Sequence, residues 1–462
     1  MKFVNSATAN RATTNHAAAN RFATNHAASI RNTSGRAIFN RMIALALVLV
    51  MAMMFILAGC GGGSKIKLTM VESLTSPERT QVLREIADSY TKANPNITIE
   101  IIAPPLDGAD QKIQQMLMNK DDMDIFEVRD NTVAQFTSND FIEPLDDYIK
   151  DWEHLDTLVE NTHLTAKLVG GKYYLMPYGF YLKMLYYRSD WLEEAGLPVP
   201  STWDEIYETG LKLTDPSKGR YGWTLRGVRG GWGFVGDLAR ARLGSGGIDL
   251  YDPNYTPSGQ SVYGTPEAML MMDFMKKLYN DTSPKDSISW AYPDQCQAFT
   301  SGVTAFLFQD PEVVAICEES MEPGTWDTAP LPVDSVTGQF PVGVGYAGWG
   351  IPSHSKNKQA AADFILYLSN PDNNVRFCKT YSVIPIHSNA PEKDEFFKSG
   401  PFGPYAYMND NPDKFFMTVG KSRAEDGEID KVREVDYSQV LSGEKDAAAT
   451  LAEWTAVSDS IR

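Results

Sequence analysis

Aromatic side chains and carboxylates are the functional groups that this sequence supplies in excess. It contains 9 Trp and 21 Tyr residues, all of which follow Cys60, together with 59 Asp and Glu residues. A sugar ring has apolar C–H faces and dense hydroxyl edges. A site for one therefore needs aromatic faces for stacking and polar groups for paired hydrogen bonds, gathered in a concave pocket. The composition permits such a pocket without locating it.

The common catalytic motifs do not occur. None of the histidines after Cys60 has HExxH spacing, and GxSxG and GxxxxGK[ST] are absent. These histidines are His154, His163, His354 and His387. Paired carboxylates can hydrolyse glycosidic bonds. With 59 acidic residues many such pairs arise by chance, so their number does not indicate an enzyme. We expect a binding protein without cofactor or metal, and an extracellular glycan-acting enzyme is the alternative.

Length and charge exclude several classes of protein. The chain has 462 residues, enough for two or three domains, and 43% hydrophobic residues, as in a globular protein. The formal net charge is −17. Residues 1–59 contain six basic and no acidic residues, so the remainder is more acidic still. Nucleic-acid binding is not expected, because phosphate contacts need Lys and Arg.

The first 64 residues read as a targeting segment. Basic residues precede a run of 17 apolar residues, Met42–Ala58, and Leu57-Ala58-Gly59-Cys60 resembles the lipobox of bacterial lipoproteins. We expect 1–59 to be a signal peptide with a long n-region, and 60–64 to be a lipidated Cys60 with a flexible Gly/Ser tether. The protein would then lie on the extracellular side of the cell membrane. An uncleaved signal anchor is the alternative, and an adhesive surface lipoprotein is a further function class.

The other cysteines, Cys296, Cys317 and Cys378, have no CxxC spacing. A disulfide framework or a structural zinc site is therefore not expected. We interpret them as buried thiols that pack as small hydrophobic groups, although one pair could still form a bridge.

Alternating strand and helix patterns begin after the tether. Strands are predicted at 65–70, Ile97–Ile102 and Met123–Val128, with helices at Pro77–Ala93 and Gln111–Asn119. This order predicts a mostly parallel α/β domain, in which ligands bind at the carboxyl ends of strands. A second unit follows. Its predicted elements are helices at Trp203–Leu213, Pro266–Tyr279 and Lys358–Leu368, a strand at Val303–Phe308, and a loop-rich stretch at 215–262.

The stretch Leu185–Trp203, LYYRSDWLEEAGLPVPSTW, resembles the signature of the extracellular solute-binding proteins of ABC importers, family 1, the carbohydrate type. Arg188 departs from the usual Asn of that signature. Four further landmarks of the family follow its expected order: Asp124–Leu145, Phe299–Phe308 (FTSGVTAFLF), Gly343–Ile351 (GVGYAGWGI) and Ala360–Pro385. Together these landmarks cover most of residues 65–400.

The resemblance implies an α/β, two-lobed periplasmic-binding-protein-like fold with a hinge and a ligand cleft between the lobes. Lobe 1 would comprise 65–180 plus 342–400, and lobe 2 would comprise 181–341 plus 401–462. The chain would pass between lobes near Pro177–Tyr187, Leu331–Val342 and 400–410. The implied function is capture of a sugar, an oligosaccharide by preference, by a monomer that delivers it to permease subunits and their ATPase.

The family pattern, carried over residue by residue, gives the candidate ligand-binding residues. They are Glu72, Ser73, Asp130, Asn131, Tyr178, Tyr181, Trp232, Trp290, Tyr292, Asp310, Glu312, Tyr346 and Trp349. For Glu72, Asp310 and Glu312 the alternative is helix capping or a solvated surface. Four arginines also lie near Trp232: Arg226, Arg229, Arg240 and Arg242. They either bind an acidic sugar or another anion, or form a solvated, salt-bridged surface.

Overall fold

Alternating strands and helices build two main sheets in this computed structural model, which describes residues 65–105, 108–250, 252–418, 420, 423 and 425–461. The predicted signal peptide, Cys60 and the tether lie outside these residues. The strands are β1 (Ile66–Val71), β2 (Ile97–Ile102), β3 (Ile125–Arg129), β4 (Met176–Tyr181), β5 (Met184–Tyr187), β6 (Tyr221–Trp223), β7 (Thr304–Gln309), β8 (Asp327–Ala329), β9 (Phe340–Gly343), β10 (Gly345–Gly350) and β11 (Phe415–Thr418).

The helices pack around these sheets. They are α1 (Pro77–Ala93), α2 (Ala109–Asn119), α3 (Val133–Ser138), α4 (Asp146–Ile149), α5 (Glu160–Ala166), α6 (Ser189–Ala195), α7 (Trp203–Leu213), α8 (Gly233–Leu243), α9 (Pro266–Thr282), α10 (Tyr292–Thr300), α11 (Val313–Ser320), α12 (Lys358–Leu368), α13 (Pro371–Tyr381), α14 (Ala390–Lys393), α15 (Gly403–Asp410), α16 (Asp426–Ser442) and α17 (Ala447–Ser460).

The first sheet has the strand order β2-β1-β3-β10-β4. Strand β1 pairs in parallel with β2 and β3, whereas β10 runs antiparallel to β3 and β4. The parallel part is the strand-helix-strand pattern expected from the sequence. Helix α1 begins where expected because Ser76 caps it, accepting a hydrogen bond from the Arg79 N–H, and Pro77 occupies its first turn.

The second sheet has the order β6-β7-β5-β8, in which β6 and β7 are parallel. Helix α7 next to it starts at a capping box formed by Thr202 and Glu205. The segment 215–262, predicted to be loop-rich, contains β6 and the 11-residue helix α8. The glycines and aromatic residues of this segment hid the helical pattern of α8, whose apolar face packs in the lobe 2 core.

The two sheets have separate hydrophobic cores, which we call lobe 1 (β1–β4 and β10) and lobe 2 (β5–β9 and β11). The chain passes between the sheets at Leu182–Lys183, between β4 and β5, and at Val344, between β9 and β10. It passes again between Ile386, which packs in lobe 1, and Phe402, which packs in lobe 2. Side chains that pack against both cores are Leu182, Ile384 and Phe397.

Candidate ligand-binding site

The carboxyl ends of the parallel strands carry polar residues singled out from the sequence. Glu72 follows β1 and Asp130 follows β3 in lobe 1, while Asp310 follows β7 in lobe 2. Burial raises the pKa of Asp130, Arg129 opposes the rise, and the charge of Asp310 adds to it. Asp310 of lobe 2 is thus close enough to Asp130 of lobe 1 to affect the ionisation of that carboxyl.

Glu72 and Ser73 belong to a buried charge cluster in lobe 1. Arg79 is fully buried and forms ion pairs with Glu72 and with Glu127, the second at 2.6 Å. The backbone N–H groups of Ser73 and Leu74 donate to Glu127 at 2.6 and 2.9 Å. Glu72 and Ser73 are 0% and 1% exposed, so the surface of the lobe does not present them, although Glu72 Oε1 and the Ser73 hydroxyl have no hydrogen-bond partner among the described residues.

An aromatic box surrounds the same arginine. The guanidinium carbon of Arg79 lies 5.3 Å from the Tyr178 ring centroid and 5.5 Å from that of Trp349. Trp349 is only 1% exposed and Tyr178 only 2% exposed. Their rings therefore stabilise the buried cation and present almost no surface in this conformation, and the contact of Trp349 with a ligand stays a prediction from the sequence.

Tyr178 connects this cluster to the cleft. Its hydroxyl donates to Glu127 at 2.5 Å and lies 2.8 Å from the hydroxyl of the partly exposed Tyr181. The Tyr181 ring centroid is 6.2 Å from that of Tyr381, at the end of α13. Burial raises the pKa of Tyr181, and neighbouring phenols and Glu127 add to the rise. The Tyr181 hydroxyl is thus neutral, and the hydroxyl of the buried Tyr178 holds it in place.

Asp130 and its neighbours form the rest of the lobe 1 edge. The Asn131 N–H donates to the Asp130 carboxylate at 2.8 Å, and the Asp130 N–H donates to the Tyr346 carbonyl at 3.2 Å. Asn131 is exposed, whereas Tyr346 is only 3% exposed. A Cβ placed on Gly345 would lie 3.6 Å from an Asp130 carboxylate oxygen and 3.3 Å from Tyr181, so Asp130 and Tyr181 share one patch.

The lobe 2 edge carries a carboxylate pair. Asp310 pairs with Lys183 at 2.9 Å. Burial and the charge of Asp310 raise the pKa of Glu312 to about 8. Burial also raises the pKa of Tyr292, with Glu312 and the lobe 1 residue Tyr381 adding to the rise. Candidate residues from distant parts of the sequence therefore lie close together here. Tyr381 lies with them, and no sequence pattern had pointed to it.

The two remaining tryptophans have different positions. The Trp290 carbonyl accepts hydrogen bonds from the Gly227 and Val228 N–H groups at 3.1 and 3.2 Å, at the border of the lobe 2 edge. Trp232 packs instead against Trp454, with ring centroids 5.9 Å apart, and against Arg433. The structure therefore joins Trp232 to the C-terminal helices rather than to the cleft residues.

A pocket of about 100 Å³ opens at the lobe 2 edge. Its lining includes the aromatic residues Trp223, Phe234 and Phe308 and the cations Lys183 and Arg226. None of these was a predicted site residue, although Arg226 stood in the arginine group noted from the sequence. Three of them could have been found from the strand pattern. Trp223 ends β6, Phe308 lies near the end of β7 and Lys183 precedes β5, and these strand ends lie at the same edge of the sheet.

Cys296, Cys317 and Cys378 are buried free thiols, as expected for small hydrophobic groups. Across the described ranges, no group of three His, Cys, Asp or Glu side chains is arranged to hold a metal ion. A helix of the length and apolarity needed to cross a membrane is also not found among the residues with described structure.

Two cores joined by short passages, with polar strand edges close to one another, define a two-lobed binding protein. Residues 76–375 match the family described as bacterial extracellular solute-binding protein. This match covers more than half of the chain, and the chain belongs to that family. The family is one of binding proteins, which confirms the interpretation that the chain is not an enzyme.

Individual relatives are distant in sequence and close in fold. A putative binding protein of Brucella abortus is 22% identical over 365 residues, 79% of this chain and 85% of that protein. The structure titled maltose-bound MalE3 of T. maritima has a TM-score of 0.72 at 22% identity, covering 85% of this chain and 98% of that one. An ABC transporter solute-binding protein of Thermotoga lettingae, bound with alpha-D-tagatose, has a TM-score of 0.74 at 18% identity, covering 86% and 100%. These structures confirm the two-lobed α/β fold.

Proposed function

We propose that this solute-binding protein captures a carbohydrate, by preference an oligosaccharide, between its two strand edges and delivers it to an ABC importer. The observation that carries the proposal is the meeting of tyrosines and carboxylates from both lobes. Tyr181 and Asp130 come from lobe 1, while Tyr292 and Glu312 come from lobe 2. Aromatic faces and hydrogen-bonding edges on opposite walls are what a sugar ring requires.

Two further facts support a sugar over another solute. The T. maritima and Thermotoga lettingae proteins of the same fold hold maltose and alpha-D-tagatose. In this chain Tyr181 and Tyr292 are neutral phenols at pH 7, as their ordinary pKa near 10 requires, and burial raises both pKa values further. Neutral hydroxyls donate and accept at once, which matches the hydroxyls of a sugar.

The proposed transport role needs partners. The chain has no GxxxxGK[ST] motif for ATP binding, so we assign ATP hydrolysis to a cytoplasmic ATPase and passage to two permease subunits. Closure of the two lobes over the sugar is the signal that we expect those subunits to recognise. We expect the binding protein to act as a monomer.

The proposed anchor is a lipid on Cys60, which would hold the protein on the extracellular side of the cell membrane. The Leu57-Ala58-Gly59-Cys60 sequence and the Gly/Ser tether support it. Expression of the full chain in a bacterial host fed labelled palmitate tests this assignment. Label should enter the wild type and not Cys60→Ser, and equal labelling of both would contradict the anchor.

A thermal-shift screen of the full chain, purified in mild detergent, tests the carbohydrate assignment. The panel contains monosaccharides and oligosaccharides, with amino acids and polyamines as controls. A ligand that binds only the folded state at a hundred times its Kd adds about 2.7 kcal/mol of stability, which raises Tm. We expect an oligosaccharide to raise Tm and to be recovered intact. Cleavage of the sugar would identify a glycan-acting enzyme, and a shift with amino acids alone would contradict the proposal.

A further inference from the structure

The pocket at the lobe 2 edge has a floor whose polar groups already have partners. Gln309 donates from its amide to the Gln295 amide oxygen at 3.0 Å, and Gln295 donates to the Thr224 carbonyl at 3.2 Å. The Asp310 N–H donates to the Gln309 amide oxygen at 3.0 Å. Both glutamines are at most 3% exposed. The floor therefore fixes the shape of the pocket and offers a ligand little hydrogen bonding.

Of the two cations that line this pocket, Lys183 is paired with Asp310 and Arg226 has no carboxylate partner among the described residues. The only hydrogen bond from the Arg226 side chain within those residues is a long one, 3.4 Å from Nε to the Val228 carbonyl. Burial lowers the pKa of Arg226, but a guanidinium stays charged in proteins. Partial burial of an unpaired charge is costly unless a ligand pairs it.

The other arginines of the group noted from the sequence show what a structural pairing looks like. Arg240 pairs with Asp237 at 2.7 Å and Arg242 pairs with Asp334 at 2.6 Å. Arg229 is exposed. The salt-bridged interpretation therefore holds for Arg240 and Arg242. Arg226 differs from them because no carboxylate of the described residues pairs with it, and Asp237, which also lines the pocket, is the partner of Arg240.

The charges around Arg226 leave a local positive surplus. Lys183 and Asp310 neutralise each other at 2.9 Å. Glu312, whose pKa is raised to about 8, is mostly neutral at pH 7. One unpaired positive charge therefore remains at this edge, in a chain whose formal net charge is −17. A neutral sugar would leave that charge without a partner.

The pocket also contains an unused neutral donor. Trp223 is 3% exposed, and its indole N–H has no hydrogen-bond partner among the described residues. An indole N–H and a guanidinium are donors only. Phe234 and Phe308 supply apolar walls beside them. The indole N–H is itself buried, so Arg226 beside the aromatic walls is the donor that a ring with an acceptor-only group would meet.

We propose that Arg226 and the pocket beside it bind the singly charged anionic group of a sugar, so that the natural ligand is an acidic saccharide. The group is a uronate carboxylate or a sulfate ester, since both carry one negative charge and accept several hydrogen bonds. A phosphate ester, with a charge near −2 at pH 7, would exceed the single unpaired cation. This inference rests on the carbohydrate function proposed above.

Isothermal titration of the full chain in mild detergent tests the inference. The probes are glucuronate, galacturonate and their disaccharides, the matching sulfated sugars, and the neutral sugars of identical stereochemistry. The variants are Arg226→Gln, Arg226→Lys and, as a matched control for charge in the same loop, Arg229→Gln. Melting temperatures without ligand show whether each variant is folded.

We expect at least one anionic sugar to bind the wild type about tenfold or more tightly than its neutral counterpart. Arg226→Gln should reduce this ratio to below about threefold, while Arg226→Lys and Arg229→Gln retain most of it. Tight binding by uronates or by sulfated sugars identifies which group is recognised. Equal binding of neutral and anionic sugars, or an unchanged ratio in Arg226→Gln, overturns the inference and leaves the sugar function intact. Binding of neither class overturns both.

Discussion

The strand edges of the two lobes contain the same types of residue and use them differently. In lobe 1 the buried Arg79 is held by Glu72 and Glu127 and enclosed by aromatic rings. In lobe 2 Arg226 lines a pocket without a carboxylate partner in the described part of the chain, and Asp310 is taken by Lys183. The first arrangement is closed within the protein, whereas the second leaves donors available.

The difference shows that the type of a residue does not reveal its role until its ion-pair and hydrogen-bond partners are known. A buried cation between two carboxylates fixes the position of the strands and helices that carry them, because a missing partner would leave a desolvated charge. A partly exposed cation beside a pocket contributes little to stability and can pair with a ligand. We therefore infer that the buried ion pairs of lobe 1 fix the geometry of its edge, and that the lobe 2 edge recognises the charge of the ligand.

The largest predicted effect comes from removing the lobe 1 cation. Arg79→Met leaves Glu72 and Glu127 buried without their partner, and should lower the free energy of unfolding by about 3–5 kcal/mol. Urea unfolding followed by tryptophan fluorescence measures this loss. Arg84→Met, an exposed position on the same helix, is the matched control and should change stability by less than about 0.5 kcal/mol. Equal effects of the two substitutions would remove the distinction between the two edges.

A pH-dependent effect is expected from Glu312. Its pKa is raised from 4.5 to about 8 by burial and by Asp310, while Lys183 and Tyr292 oppose the rise. Between those pH values the folded chain holds a proton that the unfolded chain has lost, so the wild type loses stability as pH rises. Relative to the wild type, Glu312→Gln should therefore gain roughly 2–4 kcal/mol between pH 5 and pH 8.5, since one pKa unit corresponds to about 1.4 kcal/mol.

Chemical unfolding at a series of pH values measures this gain. Glu318→Gln, on the exposed side of α11, should follow the wild-type pH profile. Parallel profiles for Glu312→Gln and the wild type would show that Glu312 is ionised at neutral pH, and the positive surplus argued for the pocket would then be smaller.

A moderate effect is expected where the buried charge cluster of lobe 1 meets the lobe 1 edge. Tyr178→Phe removes the hydroxyl that donates to Glu127 at 2.5 Å and contacts the Tyr181 hydroxyl at 2.8 Å. Leaving a charged acceptor without this bond should cost about 1–3 kcal/mol of stability. Sugar affinity should fall a further few-fold because Tyr181 loses its support. Calorimetry and titration measure both quantities, with the exposed Tyr407→Phe as control. Unchanged affinity would show that Tyr181 is held by other contacts.

The smallest effect concerns the lobe 2 charge balance. Asp310→Asn removes the partner of Lys183 and leaves two unpaired cations near the pocket. The affinity ratio of anionic to neutral sugar should rise about three- to fivefold, equal to about 1 kcal/mol. The gain should shrink at high salt because partly exposed charges are screened. A ratio that falls would contradict this charge balance and would indicate that Glu312 ionises once the charge of Asp310 is removed.

Much of the fold was predictable because its signals are local. Helices α7 and α12 have the predicted bounds. The capping box of α7 and the apolar spacing of α12 each lie within one stretch of chain. The parallel order of β1, β2 and β3 followed from alternation of strands and helices. Helix α8 was missed because glycines weaken its intrinsic propensity, and packing against the lobe 2 core overrides it.

The site was less predictable because its partners are distant in sequence. Strand β10 lies between β3 and β4, and nearly all its side chains are buried. A strand covered on both faces gives no alternation to distinguish a cleft tryptophan from a core one, so the burial of Trp349 could not be predicted from its spacing. Arg242 and Asp334 are brought together only by the fold, and Arg226 has no such carboxylate partner among the residues with described structure. No spacing in the sequence separates these two cases.

A crystal structure of the full chain with a bound saccharide would test the account most directly. We predict that the sugar contacts Tyr181 and Asp130 on one side and Tyr292 and Glu312 on the other, while Trp349 stays buried against Arg79. An acidic sugar should place its charged group at Arg226. A sugar stacked on Trp232 or Trp349, or one bound away from both strand edges, would contradict the assignment of capture to the cleft and of charge recognition to lobe 2.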